Sequence, residues 1–430
     1  MSVVRARQWR AYGVLPVLFS ILLLILLLPA CDQFNKGKKP QASFLTQVFG
    51  TSTKGDFKQA FSPHKFSFPR DYADHPDFRH EWWYFTGNLD ATAGARFGYE
   101  LTILRVALNS QEEDVDEPDT KPNTTTNLLS SSKESDWRSD HFYIAHLALT
   151  DIENNTFYYS ERLSRDAMGL AGAGVFFKEQ VDQDSINLKV WLADWSVESV
   201  GDGIFPLRLT AKDKDYSIDL VLQNKKPVVM QGDAGLWTKG KTPGNAAYYF
   251  SITRLETVGT IRIKSKKYSV AGDSWFDREW STAQLEDGQS GRDWFRLQLS
   301  DDREIMFHAF RQEDSQQDNS SQGNYVDEYS IGSIVAANGE SRTLAHGDVE
   351  ITVVRYWSSP HSNIKYPATW KISIPSESLV LQVTPVIPDQ ELNLSVRFWE
   401  GAVKVSGKQK SDGSIITGHG HVELSGYSPG

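Results

Sequence analysis

Carboxylate and aromatic residues alternate in the segment from Trp275 to Trp280, which reads Trp-Phe-Asp-Arg-Glu-Trp. If the segment is extended, Trp275, Asp277 and Glu279 point to one side, because side chains alternate along a strand. A carboxyl group beside large rings can have a raised pKa, which suits it to donate a proton. The favoured alternative is a salt-bridge network that keeps both carboxylates ionised. The arginines proposed for that network are Arg254, Arg278 and Arg296.

The densest aromatic cluster of the sequence surrounds Glu81. On a strand, Glu81 and Trp83 share one face, and Trp82 and Tyr84 share the other. One interpretation is an aromatic-lined pocket with the carboxylate inside it. The other is a strand packed on both sides, with Glu81 paired to an arginine such as Arg105.

Three potential metal ligands, His419, His421 and Glu423, are spaced two residues apart. On an extended strand such side chains start roughly 7 Å apart, so three in a row converge poorly on one ion. No metal and no other cofactor is predicted. Gly-x-Ser-x-Gly, His-Glu-x-x-His and phosphate-loop motifs are also missing from the sequence. A carboxylate mechanism is therefore the expected route to any catalysis.

The elements that must position these residues are β-strands. Apolar and polar residues alternate in five short segments, which is typical of antiparallel sheets with one buried face. These segments are 99–103, 186–190, 216–220, 261–264 and 403–405. Short strands separated by Gly, Asp and Asn turns indicate an all-β chain built of barrels or sandwiches.

The chain is long enough for two domains. We expect a signal peptide at 1–30, a tether at 31–60, an N-terminal domain at 61–260 and a C-terminal domain at 261–430. A weak repeat supports this division, because Gly272–Asp277 resembles Gly418–Glu423. Two low-complexity segments, Asn109–Asp136 and Gln312–Asn324, are predicted to be insertions in hairpins.

The first residues have the pattern of an export signal. Arginines precede an apolar run from Val14 to Leu28, and Leu-Pro-Ala then leads to Cys31, the only cysteine of the chain. This arrangement fits a bacterial lipobox, so we expect cleavage before Cys31 and lipidation of its thiol. The predicted location is a membrane of the cell envelope, facing the periplasm. Asp32 slightly favours the inner membrane.

The net charge is −10, and no basic patch stands out. A nucleic-acid partner is therefore excluded. Aromatic residues make up 12% of the chain, with 13 tryptophans, and large rings favour strands and often line apolar cavities.

Several stretches of the chain resemble the group formed by AttH and the carotenoid 1,2-hydratases (CrtC), proteins with two lipocalin-like domains. They run in order from about residue 60 to the end. They are 80–89, 98–101 with Arg105, 146–151, 231–233, 248–255, 272–280 and 399–401. The resemblance implies two lipocalin-like antiparallel β-barrels and a cavity for a lipophilic molecule.

In the hydratase branch, the proposed proton donor to a carbon–carbon double bond is a carboxylate that follows an aromatic residue. Asp277 matches that position, with Glu81 or Glu279 as a helper. The expected ligand-binding residues are Trp82, Trp83, Tyr84, Tyr248, Phe250 and Trp275. Tyr248 and Phe250 stand where a His and Trp pair is expected in the hydratases, a departure that puts carotenoid hydration itself in doubt.

Three functions follow from these observations. The leading hypothesis is an envelope lipoprotein that binds a lipophilic ligand, such as a lipid or isoprenoid, as an accessory of an ABC-type permease. The second is an enzyme, a carbon–oxygen lyase of the hydratase type, with Asp277 as the proton donor. The third is a structural adaptor without a ligand cavity.

Overall fold

In a computed structural model of the chain, the described residues are 57–92, 94–108, 139–178, 185–283, 285–312 and 326–429. The predicted signal peptide, Cys31, most of the tether and nearly all of both low-complexity segments lie outside these ranges. Within them, no helix is long and apolar enough to cross a membrane.

The first sheet has 13 strands, and its main path runs β4-β3-β2-β1-β13-β12-β9-β8-β7-β6-β5, with β10 and β11 paired to β12. The strands are β1 (His80–Ala91), β2 (Arg96–Ala107), β3 (His141–Asp151), β4 (Thr156–Arg165), β5 (Ala171–Lys178), β6 (Ser185–Leu192), β7 (Trp195–Gly201), β8 (Gly203–Lys212), β9 (Tyr216–Asn224), β10 (Val229–Met230), β11 (Leu236–Thr238), β12 (Ala246–Ile263) and β13 (Lys266–Ser281).

The second sheet has 10 strands in the order β17-β16-β15-β14-β23-β22-β20-β19-β18, with β21 paired to β22. They are β14 (Gln289–Leu299), β15 (Glu304–Gln312), β16 (Ile331–Val335), β17 (Ser341–Ala345), β18 (Glu350–Ser358), β19 (Lys365–Ile374), β20 (Leu379–Pro385), β21 (Glu391–Asn393), β22 (Arg397–Gln409) and β23 (Ile415–Ser425). Short 3-10 helices lie at Arg70–Tyr72, Ala167–Gly169, His346–Asp348 and Pro375–Glu377.

All strand pairs are antiparallel. The first sheet forms a nearly closed barrel and the second a half-barrel. The predicted all-β class with two lipocalin-like domains is confirmed. The change from one sheet to the other falls between Ser281 and Gln289, whereas the sequence placed the domain boundary at 260/261. β12 and β13 form one long hairpin across that expected boundary, because turn residues 264–265 continue the first sheet.

The first barrel is filled by its own side chains. Trp83 and Phe85 on β1 pack inside it against Phe250 on β12 and Phe276 on β13, and all four are fully buried. The second barrel has its own apolar core, in which Trp370 packs against Phe295 and Trp399. The rings that could line an open cavity are therefore used in packing.

Glu81 lies among these side chains in the first barrel and is an ion-pair partner. Its carboxylate accepts hydrogen bonds from Arg105 and Arg278, and all three side chains are fully buried. Burial alone would raise the pKa of Glu81, but the two guanidinium charges outweigh it and hold the pKa far below its usual range. This arrangement agrees with the second interpretation of the Glu81 segment, a strand packed on both sides with Glu81 paired to an arginine.

Replacing Glu81 with Gln should destabilise the protein strongly, because Arg105 and Arg278 would remain buried without a counter-charge. We expect the free energy of unfolding at neutral pH to fall by about 3–5 kcal/mol. Since the pKa is depressed in the folded state, this contribution is present above the usual glutamate pKa and is lost as the pH falls. Urea denaturation followed by tryptophan fluorescence measures it.

The matched control is Asp219→Asn, which breaks the exposed pair between Asp219 and Arg208. We expect that change to cost no more than about 1 kcal/mol. Equal, small losses in both variants would contradict the structural role assigned to Glu81.

Candidate functional site

The outer faces of the two barrels pack against each other through a buried layer of rings and charges. Strand alternation places Tyr84 on the outer face of β1, opposite Asp277 on β13. On the second sheet, Arg296 of β14 lies opposite His421 of β23. Hydrogen bonds cross between the sheets, including Asn88 Nδ2 to the Gly420 carbonyl at 3.1 Å. We call this region the inter-sheet layer.

Asp277 lies at the centre of this layer and accepts hydrogen bonds from four donors. Tyr249 Oη (2.8 Å), Ser251 Oγ (2.6 Å) and Trp275 Nε1 (2.9 Å) donate to Oδ1. Arg296 Nε donates to Oδ2 at 2.5 Å. Both oxygens of Asp277 are therefore already engaged by hydrogen-bond donors of the protein, so Asp277 is poorly placed to reach a substrate.

Glu279 is also paired, with the buried ammonium group of Lys239. The salt-bridge alternative therefore describes both carboxylates of the segment, although only Arg296 of the three proposed arginines takes part. Arg278 pairs with Glu81 on the barrel side, and Arg254 pairs with Glu304 at 2.7 Å and Asp273 at 2.9 Å.

A second pair of carboxyl groups, Glu100 and Glu400, lies in the same layer. Glu100 comes from β2 and Glu400 from β22, so the two sheets bring them together. Tyr84 Oη donates to Glu400 Oε2, and His421 Nε2 lies 3.5 Å from the same oxygen. Thr102 Oγ1 donates to Glu100 Oε1 at 2.6 Å. Among the described residues, Glu100 Oε2 has no hydrogen-bond partner.

The pKa values of these two carboxyl groups are shifted in opposite directions. Burial, followed by the charge of Glu400, raises the pKa of Glu100 well above its usual value. Burial would also raise the pKa of Glu400, but His421 and Tyr84 stabilise its charge and leave the pKa lowered. The two carboxyl groups therefore differ in how readily each gives up its proton, Glu100 less readily and Glu400 more readily than an exposed glutamate.

The sequence did not single out Glu100 or Glu400 as site residues. Glu100 lies in the alternating stretch 99–103, where a polar residue is expected on a solvated face. The available signal was that both glutamates fall within stretches 98–101 and 399–401, which carry the family resemblance. Their opposition across two sheets could not be read from spacing.

The residues of the His419-x-His421-x-Glu423 motif have separate roles. His421 approaches Glu400, whereas Glu423 accepts hydrogen bonds from Arg292 at 3.1 Å. Within the described ranges, no group of three or more metal-ligating side chains is close enough to hold an ion.

The predicted ligand-binding residues divide between the two faces of the first sheet. Tyr84 and Trp275 lie in the inter-sheet layer. Trp83, Tyr248 and Phe250 pack inside the first barrel, and Trp82 is half-buried. On β12 the residues that face Asp277 are Tyr249 and Ser251. Each directly follows a predicted ligand-binding residue, Tyr248 or Phe250. Glu81 faces the barrel core, so the structure does not bring it to Asp277.

Two cavities of the described residues lie outside this layer. One cavity, of about 490 Å³, lies where the last residues of β1 meet β13 and is lined by residues 90–92 and 269–272. The other, of about 320 Å³, includes Tyr356, Trp357 and Pro388 on the second sheet.

The sequence profile of the AttH-like family matches residues 59–427. The chain belongs to the AttH-like family. The match contains both sheets and every residue of the inter-sheet layer described above. The resemblance to the AttH and CrtC group is thereby confirmed.

Solved structures that are similar to this AttH-like chain include the following two. A protein assigned as AttH from Nitrosomonas europaea is 26% identical, with a TM-score of 0.67 and coverage of 86% of this chain and 100% of that one. Kievitone hydratase from Nectria haematococca is 18% identical, with a TM-score of 0.56 and coverage of 86% and 98%. The latter likeness shows a shared fold. No curated protein matches the chain significantly.

We expect Glu100 to be protonated at neutral pH, because it is buried beside an ionised carboxylate. Infrared spectroscopy should detect the C=O stretch of a buried carboxylic acid that disappears in Glu100→Gln. Glu256→Gln, at an exposed position paired with Lys225, is the control and should leave that band unchanged. A band of equal intensity in wild type and Glu100→Gln would refute this assignment.

Proposed function

We propose that this chain catalyses the reversible addition of water to a carbon–carbon double bond of a lipophilic substrate. The supporting observation is the buried Glu100–Glu400 pair, whose pKa values are displaced in opposite directions. Such a split is the usual sign of an acid and a base that work together. Glu100 is the acid and Glu400 the base.

Hydration needs a proton on one carbon and a hydroxyl group on the other. Glu400 is ionised and can take a proton from water, with Tyr84 and His421 holding its carboxylate in place. Glu100 is neutral and can deliver its proton to the substrate. Because the two glutamates are neighbours, the proton gained by Glu400 can return to Glu100 after each cycle.

The role of Asp277 differs from that of the proton donor expected from the family resemblance. Its Oδ1 accepts hydrogen bonds from three neighbouring side chains, and its Oδ2 holds the guanidinium group of Arg296. We therefore propose that Asp277 is a positioning residue and that the proton donor is Glu100.

The carrier and the adaptor explain less of the structure. A carrier of a lipophilic ligand for an ABC-type permease needs an open interior, whereas both barrels are filled with side chains. An adaptor accounts for filled barrels but gives no reason to bury a neutral acid beside a carboxylate. The fold shared with a protein named kievitone hydratase also favours a hydratase, without identifying the substrate.

The inter-sheet layer is covered near Trp237, whose Nε1 donates to the Tyr329 carbonyl at 3.1 Å and whose ring packs on His308 and Phe310. Trp237 belongs to the three-residue strand β11, which pairs only with β12. A substrate that enters the layer requires this cover to move, and a short peripheral strand is suited to such movement.

The first test is the addition of isotopically labelled water to a panel of lipophilic alkenes, followed by mass spectrometry. We expect Glu100→Gln and Glu400→Gln to lower the rate by about 10²–10⁴-fold, the contribution of a positioned acid or base. Glu256→Gln should retain wild-type activity. If Glu100→Gln and Glu400→Gln kept full activity and only Asp277→Asn lost it, the proton donor would be Asp277 and not Glu100.

The pH profile follows from the same pair. Activity should decline at low pH as Glu400 gains a proton, and at high pH as Glu100 loses its proton. Because the two pKa values are displaced away from each other, a broad plateau should include neutral pH. In the Asp277→Asn variant, the pH values at which activity declines on the acidic and the basic side should be the same as in wild type.

We also propose that the enzyme is anchored in the envelope by lipids on Cys31. Cys31→Ser should abolish incorporation of a labelled fatty acid and leave the signal peptide uncleaved, because the thiol is the acceptor. Ser52→Ala, outside the predicted lipobox, is the control. In the wild-type chain, membrane association without incorporated label would indicate an uncleaved N-terminal anchor.

A further inference from the structure

At one end of the inter-sheet layer, three buried side chains other than Glu100 and His421 lie close together and carry donors or acceptors that no described residue satisfies. They are Arg296 with Nη1 and Nη2, Trp294 with Nε1, and His308 with both ring nitrogens. Their exposed fractions are 1%, 4% and 0%. Buried polar atoms are normally hydrogen-bonded, so several unpaired ones at a single place point to a ligand that pairs with them.

These groups form a rigid unit. The Arg296 guanidinium lies between two rings, with Cζ 3.4 Å from the centroid of Trp294 and 4.0 Å from that of Tyr84. Its Nε is held by Asp277 at 2.5 Å, which leaves the two Nη atoms for another partner. The His308 ring is 4.9 Å from Trp294 and 4.3 Å from Trp237.

Three cationic side chains lie near His308 at this end of the layer, each paired with a carboxylate. Burial lowers the pKa of His308 well below its usual value, and Arg292, Lys239 and Arg296 lower it further. His308 is therefore neutral, and an oxygen atom that gains negative charge beside it would be stabilised. At the other end of Tyr84, the hydroxyl group meets the carboxylate of Glu400. The layer thus has a donor-rich end and an acid–base end, joined by Tyr84.

We propose that Arg296 and Trp294 bind the carbonyl oxygen of an α,β-unsaturated carbonyl compound, and that the double bond of this compound receives the water. The inference rests on the proposed function and adds its substrate class. One guanidinium N–H together with an indole N–H suits one oxygen acceptor with two lone pairs.

The reaction balances with the groups present. Water oxygen bonds to the β-carbon while a water proton passes to Glu400, and the electrons of the double bond move onto the carbonyl oxygen. Arg296 and Trp294 stabilise the resulting enolate. Glu100 then gives its proton to the α-carbon and the carbonyl reforms. Transfer of the proton from Glu400 to Glu100 restores the starting state.

A carbocation mechanism fits this end of the layer less well. Aromatic faces stabilise a cation, but those of Tyr84 and Trp294 are already stacked on the Arg296 guanidinium. A second positive charge beside it would be repelled. An enolate has the opposite charge and is attracted.

The test measures binding, so it does not depend on turnover. Benzylideneacetone and the matching phenylbutene, in which a methylene replaces the carbonyl, are titrated against the full chain in lipid nanodiscs, with empty nanodiscs as the blank. We expect the ketone to bind wild-type protein at least about tenfold more tightly, as hydrogen bonds from a charged donor should provide. The preference should fall by about tenfold in Arg296→Lys, which keeps the charge but loses the guanidinium group.

Trp294→Phe keeps a ring and removes only the N–H, so it should reduce the preference for the ketone without a loss of folding. Trp195→Phe, whose indole donates to the Lys212 carbonyl on the first barrel, is the matched control and should keep the full preference. Equal affinity for both probes, binding of neither, or a preference unchanged in both Arg296→Lys and Trp294→Phe would overturn the inference. A ketone preference without any water addition would instead refute the proposed function alone.

Discussion

Charges that are buried between two apolar cores must be balanced within a few ångströms, and this requirement organises the molecule. In the inter-sheet layer, Asp277 is paired with Arg296, Glu279 with Lys239, and Glu423 with Arg292. Low local polarity makes each unpaired charge costly, so these pairs fix both the register of the facing strands and the contact between the sheets. Glu100 and Glu400 differ from these pairs, since two carboxyl groups lie together there, and burial beside Glu400 raises the pKa of Glu100.

The central strands are buried on both faces, which explains why they have so many roles. On β1, Glu81 and Trp83 belong to the barrel core, whereas Tyr84 belongs to the layer between the sheets. On β13, Arg278 and Asp277 divide in the same way. A single residue shift along either strand would exchange the core and the site, so the strand register is strongly specified.

Much of the fold could be predicted from the sequence, because it depends on local alternation. The period-two segments predicted antiparallel strands, and the placement of Trp275, Asp277 and Glu279 on one side of β13 agrees with the structure. The sequence predicted Tyr248 and Phe250 as ligand-binding residues, whereas Tyr249 and Ser251, one position further along, face the inter-sheet layer. No local rule states which face of a strand that is buried on both sides meets the second sheet. The pairing of Glu100 with Glu400 joins residues that are far apart in the chain, and only the packing of the sheets reveals it.

The two sheets approach each other very closely at one contact between small residues. At Gly98 a Cβ atom would lie only 2.4 Å from the Cβ of Ala402, so the strands β2 and β22 approach as closely as a hydrogen atom permits. Both residues are neighbours of the acid–base pair in sequence, at two positions from Glu100 and from Glu400. The size of the side chains at this contact therefore limits the thickness of any molecule that fits between the sheets. Relatives could adapt to flatter or thicker guests through a change of one methyl group, with their acid and base left intact.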